Sequence, residues 1–323
     1  MSALALLFPG QGSQVVGMGR DVYEASDAAR AVFDTADAIL GFPLSRLCFE
    51  GPEQELQRTE VQQPAILTVA VALLRALEAQ TPVSAAYVAG HSLGEYTALV
   101  ASGALCFEDA VRLVHARGRF MQEAVPEGRG AMAAVLGAPP ELVERACDLT
   151  RSSTGKVVTP ANYNAPNQTV IAGDAAAVEA ACSKALEQGA GRTVALAVSA
   201  PFHCPLMEPA AEKLTVELAS VRFRDPRPPV VTNVEAEPNG DGARLPELLA
   251  RQMTAPVRFT DMVTRLVDLG VTRALEVGPG RVLSGLVARN ARAVERAALG
   301  GWQELAAAAS FVAGASAGNG AGR

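Results

Sequence analysis

The stretch VAGHSLGEYTAL, residues 88–99, constrains this 323-residue chain most. AAYVAG (85–90) reads as a strand, and the residues from Leu93 onward read as a helix. Ser92 then falls between two glycines at a strand-to-helix turn, the setting that a nucleophile elbow requires. G-x-S-x-G by itself leaves two readings open, a reactive serine or one more small residue in a turn.

The surroundings alternate strand and helix. LALLFPGQGSQ (4–14) is an apolar strand running into a glycine-rich loop. Residues 27–40 have helical periodicity, and 63–80 is apolar almost all round, as in a buried helix. A further helix is expected over 107–124. The middle of the chain follows a different order: strand 131–137, helix 139–149, two strands in VVTPANYN and QTVIAGD joined by APN, helix 175–188, strand 192–199. This β-α-β-β-α-β order matches a ferredoxin-like unit inserted between two α/β segments. Strands are again expected at 229–237 and 271–280, with a helical stretch between them that breaks at Pro256. The Ala/Gly/Ser-rich end, 301–323, reads as a tail, its final ten residues as a flexible linker.

With 49% apolar and 19% charged residues the chain should be globular. Its net charge of −6 disfavours a general nucleic-acid binder. The five cysteines (Cys48, Cys106, Cys147, Cys182, Cys204) are scattered, with no C-x-x-C pair, and are expected as small core residues in a reducing compartment. No metal site is indicated. The opening MSALALLFPG lacks a basic segment and a long apolar run. A cytoplasmic, non-membrane protein is expected.

A serine hydroxyl needs a base. Of three histidines, His115 lies on an amphipathic helix and is expected at the surface, while His91 should leave the strand end in another direction. His203, in the Pro-bounded loop VSAPFHCPLM where the inserted unit returns, is then the best base. The other reading is a loop histidine without a role. Backbone N–H groups for an oxyanion could come from PGQGSQ (9–14) and from Leu93 in the elbow, unless the first loop is an ordinary turn. Arg117, in HARGRFMQ, is either a solvated helix arginine or an inward one, and an inward one must be paired, for which a ligand carboxylate is suited.

Seven motifs in order, FPGQGSQ, GHSLGEY, RGRFMQEAVPEG, NAPNQTVIAG, PFHCPLM, TAPVRF and LEVGPG, resemble the malonyl-CoA:acyl carrier protein transacylase family over about residues 5 to 300. The resemblance implies an α/β-hydrolase-like core (1–126 and 200–300) with a ferredoxin-like subdomain (127–199). It implies Ser92 as nucleophile, His203 as base, and Gln252 as the residue whose main-chain carbonyl orients that base. Gln11 and Leu93 would supply the oxyanion N–H groups, Arg117 would clamp the malonyl carboxylate, and Asn162 would touch the acyl or pantetheine arm. Phe202, directly before the base, is the residue type such enzymes carry when they use malonyl rather than methylmalonyl units. Malonyl-CoA and an acyl carrier protein would be the partners of a monomeric enzyme without cofactor. Arg281, Arg289 and Arg292 are candidates for a carrier-docking patch, or simply a solvated helix face. An acyl hydrolase on the same frame is the alternative activity; such hydrolases typically lack the arginine.

Overall fold

Strand β1 (Ala3–Phe8) is almost wholly apolar because both of its faces are covered. Leu4, Leu6 and Phe8 point into one core with the helix Thr59–Glu78. Ala5 and Leu7 point into another, with Phe259, Met262, Leu283 and Leu286 from the helices Phe259–Asp268 and Val282–Asn290. This is the period-2 alternation of a strand sandwiched between helical layers. The computed structural model describes residues 3–126, 128–198 and 200–319.

Two sheets follow. Strand β2 (Tyr87–Gly90) runs parallel to β1. The chain then builds a four-stranded antiparallel sheet from β3 (Gly130–Leu136), β4 (Val158–Ala165), β5 (Gln168–Asp174) and β6 (Arg192–Ala195), in the order β4-β5-β3-β6. It returns through β7 (Val230–Val231), β8 (Pro238–Asn239), β9 (Val271–Val277) and β10 (Glu295–Leu299) to complete the first sheet, order β10-β9-β1-β2-β7-β8. Pairing there is parallel except for β8 at the edge.

One face of the smaller sheet packs Val135 and Ile171 on Val143, Cys147, Val178 and Ala181 of the helices Pro140–Thr154 and Ala175–Glu187. Met132, Ala161 and Val170 on its other face join the main core. The smaller sheet is also tied by backbone to the loop between two helices of the main core. The Val257 N–H donates to the Ala161 carbonyl, and the Tyr163 N–H donates to the Val257 carbonyl, both at 2.9 Å. Val257 follows Pro256, where the helical stretch breaks into Leu245–Gln252 and Phe259–Asp268. The break thus frees backbone groups that dock β4.

Several expectations are corrected. The strand expected over 229–237 shrinks to Val230–Val231, because the chain turns back on itself, Ala236 sits at φ 57° and Asn233 aims its side chain inward. The strand expected over 192–199 ends at Ala195, and residues 196–198 line a cleft instead. Cys106 is exposed and Cys182 half-buried, whereas Cys48, Cys147 and Cys204 are core residues as expected. The tail expected from 301 is not one over the described residues. A helix spans Leu305–Asn319, with Leu305, Ala308 and Val312 buried in the main core. Spacings of three and four place those apolar residues on one helical face despite the small-residue composition. Residues 320–323 of the expected linker lie outside the described residues.

The helix Thr59–Glu78 is long and apolar enough to cross a membrane by length and composition. Here every residue from Val61 to Leu77 is buried except Arg75, so its apolar surface is spent on the core.

Candidate active site

Ser92 sits where β2 ends and the helix Gly94–Ala101 begins, with φ at 51°. Left-handed backbone at a residue with a Cβ costs on the order of 1–3 kcal/mol and persists only where the surroundings impose it. Here the imposition is close packing. A Cβ on Gly90 would lie 1.9 Å from the Gly94 carbonyl carbon, and one on Gly94 would lie 2.0 Å from the Phe8 oxygen. The two glycines of G-x-S-x-G therefore let strand and helix meet at a spacing that side chains forbid.

His203 is also left-handed, φ 59°. Its Nε2 lies 2.7 Å from Ser92 Oγ, and its Nδ1 lies 2.8 Å from the main-chain oxygen of Gln252. A carbonyl only accepts, so Nδ1 carries the proton and Nε2 presents its lone pair to the serine hydroxyl. Burial, then the neighbouring Arg117 charge, push this imidazole down to about 3. It is neutral at pH 7 and able to accept a proton.

Arg117 is fully buried. Its Nη2 donates to Ser92 Oγ at 3.1 Å and to Gln252 Oε1 at 2.9 Å, and Nη1 donates to Gln63 Oε1 at 2.8 Å. Its Nε has no partner among the described residues. The arginine is inward, as one of the two readings held, and every direct acceptor it has is neutral.

The cleft above Ser92 holds about 410 Å³ and is lined by Gln11, His91, Asn162, Phe202 and His203, with Met132 and Leu196 supplying apolar wall. It opens between the two sheets, beyond the carboxyl ends of β1 and β2, where open α/β sheets place ligands. Gln11 is held from the side: its amide donates to Gln62 and accepts from Gln63 Nε2 at 3.3 Å. Among the described residues neither the N–H of Gln11 nor that of Leu93 has an acceptor. Two donors are thus available near the serine for a developing negative oxygen.

The other histidines are accounted for. His91 lines the cleft and pairs with Asn164 Oδ1 at 2.8 Å, and burial lowers its pKa. His115 is half-buried rather than at the surface. Pro64 inside the helix Thr59–Glu78 has no N–H, which leaves the Glu60 carbonyl without its helical donor, and His115 Nδ1 lies 2.9 Å from that oxygen. Of the arginines considered for docking, Arg281 pairs with Glu304 and Arg289 with Gln168. With Arg192 they line a groove of about 1020 Å³ beside β6; Arg292 is not part of it.

Asn233, Gln63 and Glu95 were not singled out from the sequence. Asn233 accepts from the Ser92 N–H at 2.7 Å and donates to the Gly90 carbonyl at 2.7 Å, bracing the elbow. Glu95 is buried beneath it. A polar side chain in a short apolar stretch, GEYTALV, was the available signal.

The chain matches the acyl transferase domain family over residues 5–313, and it belongs to that family. It is 48% identical over 287 residues to the malonyl CoA-acyl carrier protein transacylase of Bacillus subtilis (strain 168), covering 89% of this chain and 90% of that protein. It is 47% identical over 310 residues to the enzyme of that name from Escherichia coli (strain K12), covering 95% and 99%. Among solved structures, a malonyl-transacylase in complex with a type II PKS acyl-carrier protein superposes with a TM-score of 0.93 at 43% identity, covering 96% of this chain and 99% of that one. An acyl carrier protein S-malonyltransferase from Vibrio cholerae O1 biovar eltor str. N16961 gives 0.92 at 42%, covering 95% and 100%.

Proposed function

We infer that this chain transfers the malonyl group of malonyl-CoA to the phosphopantetheine thiol of an acyl carrier protein through an ester on Ser92. The observation that carries this reading is the meeting of three groups on one oxygen. Ser92 Oγ lies within hydrogen-bond distance of a neutral histidine and of a buried arginine, at the floor of a cleft.

His203 Nε2 takes the hydroxyl proton as Ser92 Oγ attacks the thioester carbonyl. The oxyanion lies between the N–H groups of Gln11 and Leu93. Collapse expels the coenzyme A thiolate, which leaves with the proton from His203, and a malonyl-serine ester remains. The carrier's thiol then gives its proton to the same histidine, attacks the ester and leaves as the malonyl thioester while Ser92 regains its proton. Both half-reactions use one base, and no redox step or metal is written into them. The main-chain carbonyl of Gln252 keeps Nδ1 protonated, in the place a carboxylate holds in a Ser-His-Asp triad.

Arg117 suits a dicarboxylic acyl unit. Once Ser92 Oγ is an ester oxygen it is a poorer acceptor, and the guanidinium donor it held is released, alongside the unpartnered Nε, toward the malonyl carboxylate. A hydrolase of plain acyl chains would have no use for this buried cation. Asn162 would meet the acyl or pantetheine arm, a reading supported by its position on β4 at the cleft wall.

For the architecture we propose an α/β-hydrolase-like core carrying a ferredoxin-like subdomain. The order β4-β5-β3-β6, all antiparallel with two helices on one face, supports the second part. The Ser92 elbow on a parallel sheet supports the first. The described helix Leu305–Asn319 joins the core rather than forming a third segment.

The test is intact-mass spectrometry after incubation with malonyl-CoA. One malonyl adduct is expected on the wild type, mapping to Ser92, and none on Ser92→Ala. An adduct on a cysteine would remove the assignment.

A further inference from the structure

Glu95 lies in the first turn of the helix Gly94–Ala101 and is buried. Its Oε2 accepts from Gln252 Nε2 at 2.7 Å and from the Asn233 N–H at 3.1 Å. Gln252 Nε2 also reaches the Ser92 carbonyl at 3.1 Å, while Gln252 Oε1 accepts from Arg117. A guanidinium can only donate, so Gln252 Oε1 must face Arg117 and Nε2 must face the acceptor oxygen of Glu95. The same residue's main-chain carbonyl faces His203 Nδ1. Gln252 therefore serves His203 with its backbone and Arg117 with its side chain, and Glu95 holds that side chain from behind.

Resting on the acyl-transfer reading above, we propose that Glu95 is a positioning residue for this reaction, which acts by holding Gln252 so that His203 and Arg117 stay aligned on Ser92. What the reaction needs from Glu95 is an acceptor oxygen at that reach, not a negative charge. The geometry supports the second half, and burial agrees with it. Its other oxygen, Oε1, has no partner among the described residues, so only one oxygen is engaged. Burial also pushes the carboxyl up to about 7, against the bonds from Gln252 and Asn233 and the charge of Arg117. The group is then partly protonated at neutral pH with its bonds to Oε2 intact. Of the titratable groups around it, Arg117 favours the ionised form, and Tyr96 on the same helix stays neutral, its hydroxyl pushed up to about 12 by burial.

The two halves predict an unusual ranking. Glu95→Gln is neutral but keeps length and an acceptor oxygen. Glu95→Asp keeps the charge but withdraws it by one carbon–carbon bond, about 1.5 Å, which is enough to break a hydrogen bond. Misplacement of about 1 Å in supporting groups can cost on the order of 100-fold in rate. The rate of malonyl-Ser92 formation, followed by rapid quench and intact mass, should fall about 100-fold in Glu95→Asp and stay within about 3-fold of wild type in Glu95→Gln. A purely structural acidic residue would give the reverse order or equal losses, and either result would overturn the proposal.

A double-mutant cycle isolates the route. Gln252→Ala removes the amide and keeps the carbonyl. In that background Glu95→Asp should cost no more than about 3-fold, because the Gln252 link is already cut and only the bond to the Asn233 N–H remains. A further 100-fold loss there would mean that Glu95 acts by another path and would also overturn the proposal. Thermal melting by circular dichroism is measured on each variant. Should Glu95→Asp fail to fold, Glu95→Gln decides alone: a 100-fold loss with a wild-type melt overturns the proposal, and near-wild-type loading supports it. Absence of any wild-type adduct on Ser92 would instead overturn the acyl-transfer reading and this inference with it.

Discussion

Arg117 Nη2 donates to Ser92 Oγ across 3.1 Å, from a side chain with no exposure to solvent. Among the described residues the carboxylate that acts on this cation is Glu95, one amide away through Gln252. A substrate carboxylate would give the guanidinium a direct ionic partner.

Loss of that partner should be selective. Truncating one side of a buried charge pair costs roughly 2–5 kcal/mol. Arg117→Ala should depress malonyl transfer by that amount and leave acetyl transfer nearly unchanged. Arg117→Lys should recover little, because a single ammonium cannot make two parallel bonds to a carboxylate. The ratio of kcat/KM for malonyl-CoA and acetyl-CoA is the measurement, and equal losses for both would remove the clamp.

His203 should set an acid limb far from that of an ordinary histidine. Burial and Arg117 hold its pKa at about 3, below the usual 6.5. The unfolded chain therefore takes up a proton near 6.5 that the folded chain refuses. The stability this group contributes is present above 6.5 and lost as the pH falls toward 3. For the same reason the acylation rate should stay level as the pH falls through 6.5. A malonyl carboxylate on Arg117 cancels the second cause of the depression, so the acid limb at saturating malonyl-CoA should lie at higher pH than with acetyl-CoA. Stopped-flow pH profiles for the two esters test this, and coincident limbs would count against the coupling.

The serine elbow was legible because its chemistry is local: two glycines, a serine, and a strand passing into a helix within a dozen residues. His203 followed from there being only three histidines and from its place where the inserted unit returns. Gln252 and Asn162 were reachable only through resemblance, since nothing in RQMTAPVRF or PANYN marks them out alone. Asn233 and Glu95 escaped both routes. Asn233 meets Glu95 across 138 residues of chain, and Glu95 meets Gln252 across 157, so the network exists only once the sheet has closed. The Leu305–Asn319 helix reads as a tail in the sequence because small residues hide an apolar face that Leu305, Ala308 and Val312 define.

The Pro64–His115 arrangement predicts a coupling in stability. His115 supplies the donor that Pro64 cannot. His115→Ala should destabilise the protein by about 1 kcal/mol, the lower end of the cost of an unpaired carbonyl because the site is half-buried. In a Pro64→Ala background, where residue 64 regains its N–H, the same substitution should cost much less. Urea midpoints of the four proteins give the coupling, and additive effects would separate the two residues.

On the proposed acyl transfer, Phe202 is expected to bear on which acyl unit the cleft accepts. It is buried beside His203 and lines the same wall as Met132 and Leu196. A 2-methyl branch on the malonyl chain would need space next to the base, where the ring already stands. Overpacking a filled site costs roughly 1–3 kcal/mol, which is about 10–200-fold in discrimination. A preference for malonyl-CoA over methylmalonyl-CoA in that range is therefore expected, strong but not absolute. Phe202→Ser removes the ring and should narrow the gap by raising methylmalonyl loading. Its effect on malonyl loading reports separately on His203, because the two residues are adjacent in a loop whose backbone is left-handed at the histidine. Competition between the two CoA esters, scored by acyl-enzyme mass for wild type and variant, measures both. Equal loading of the two esters by the wild type would show that the ring does not shape the pocket.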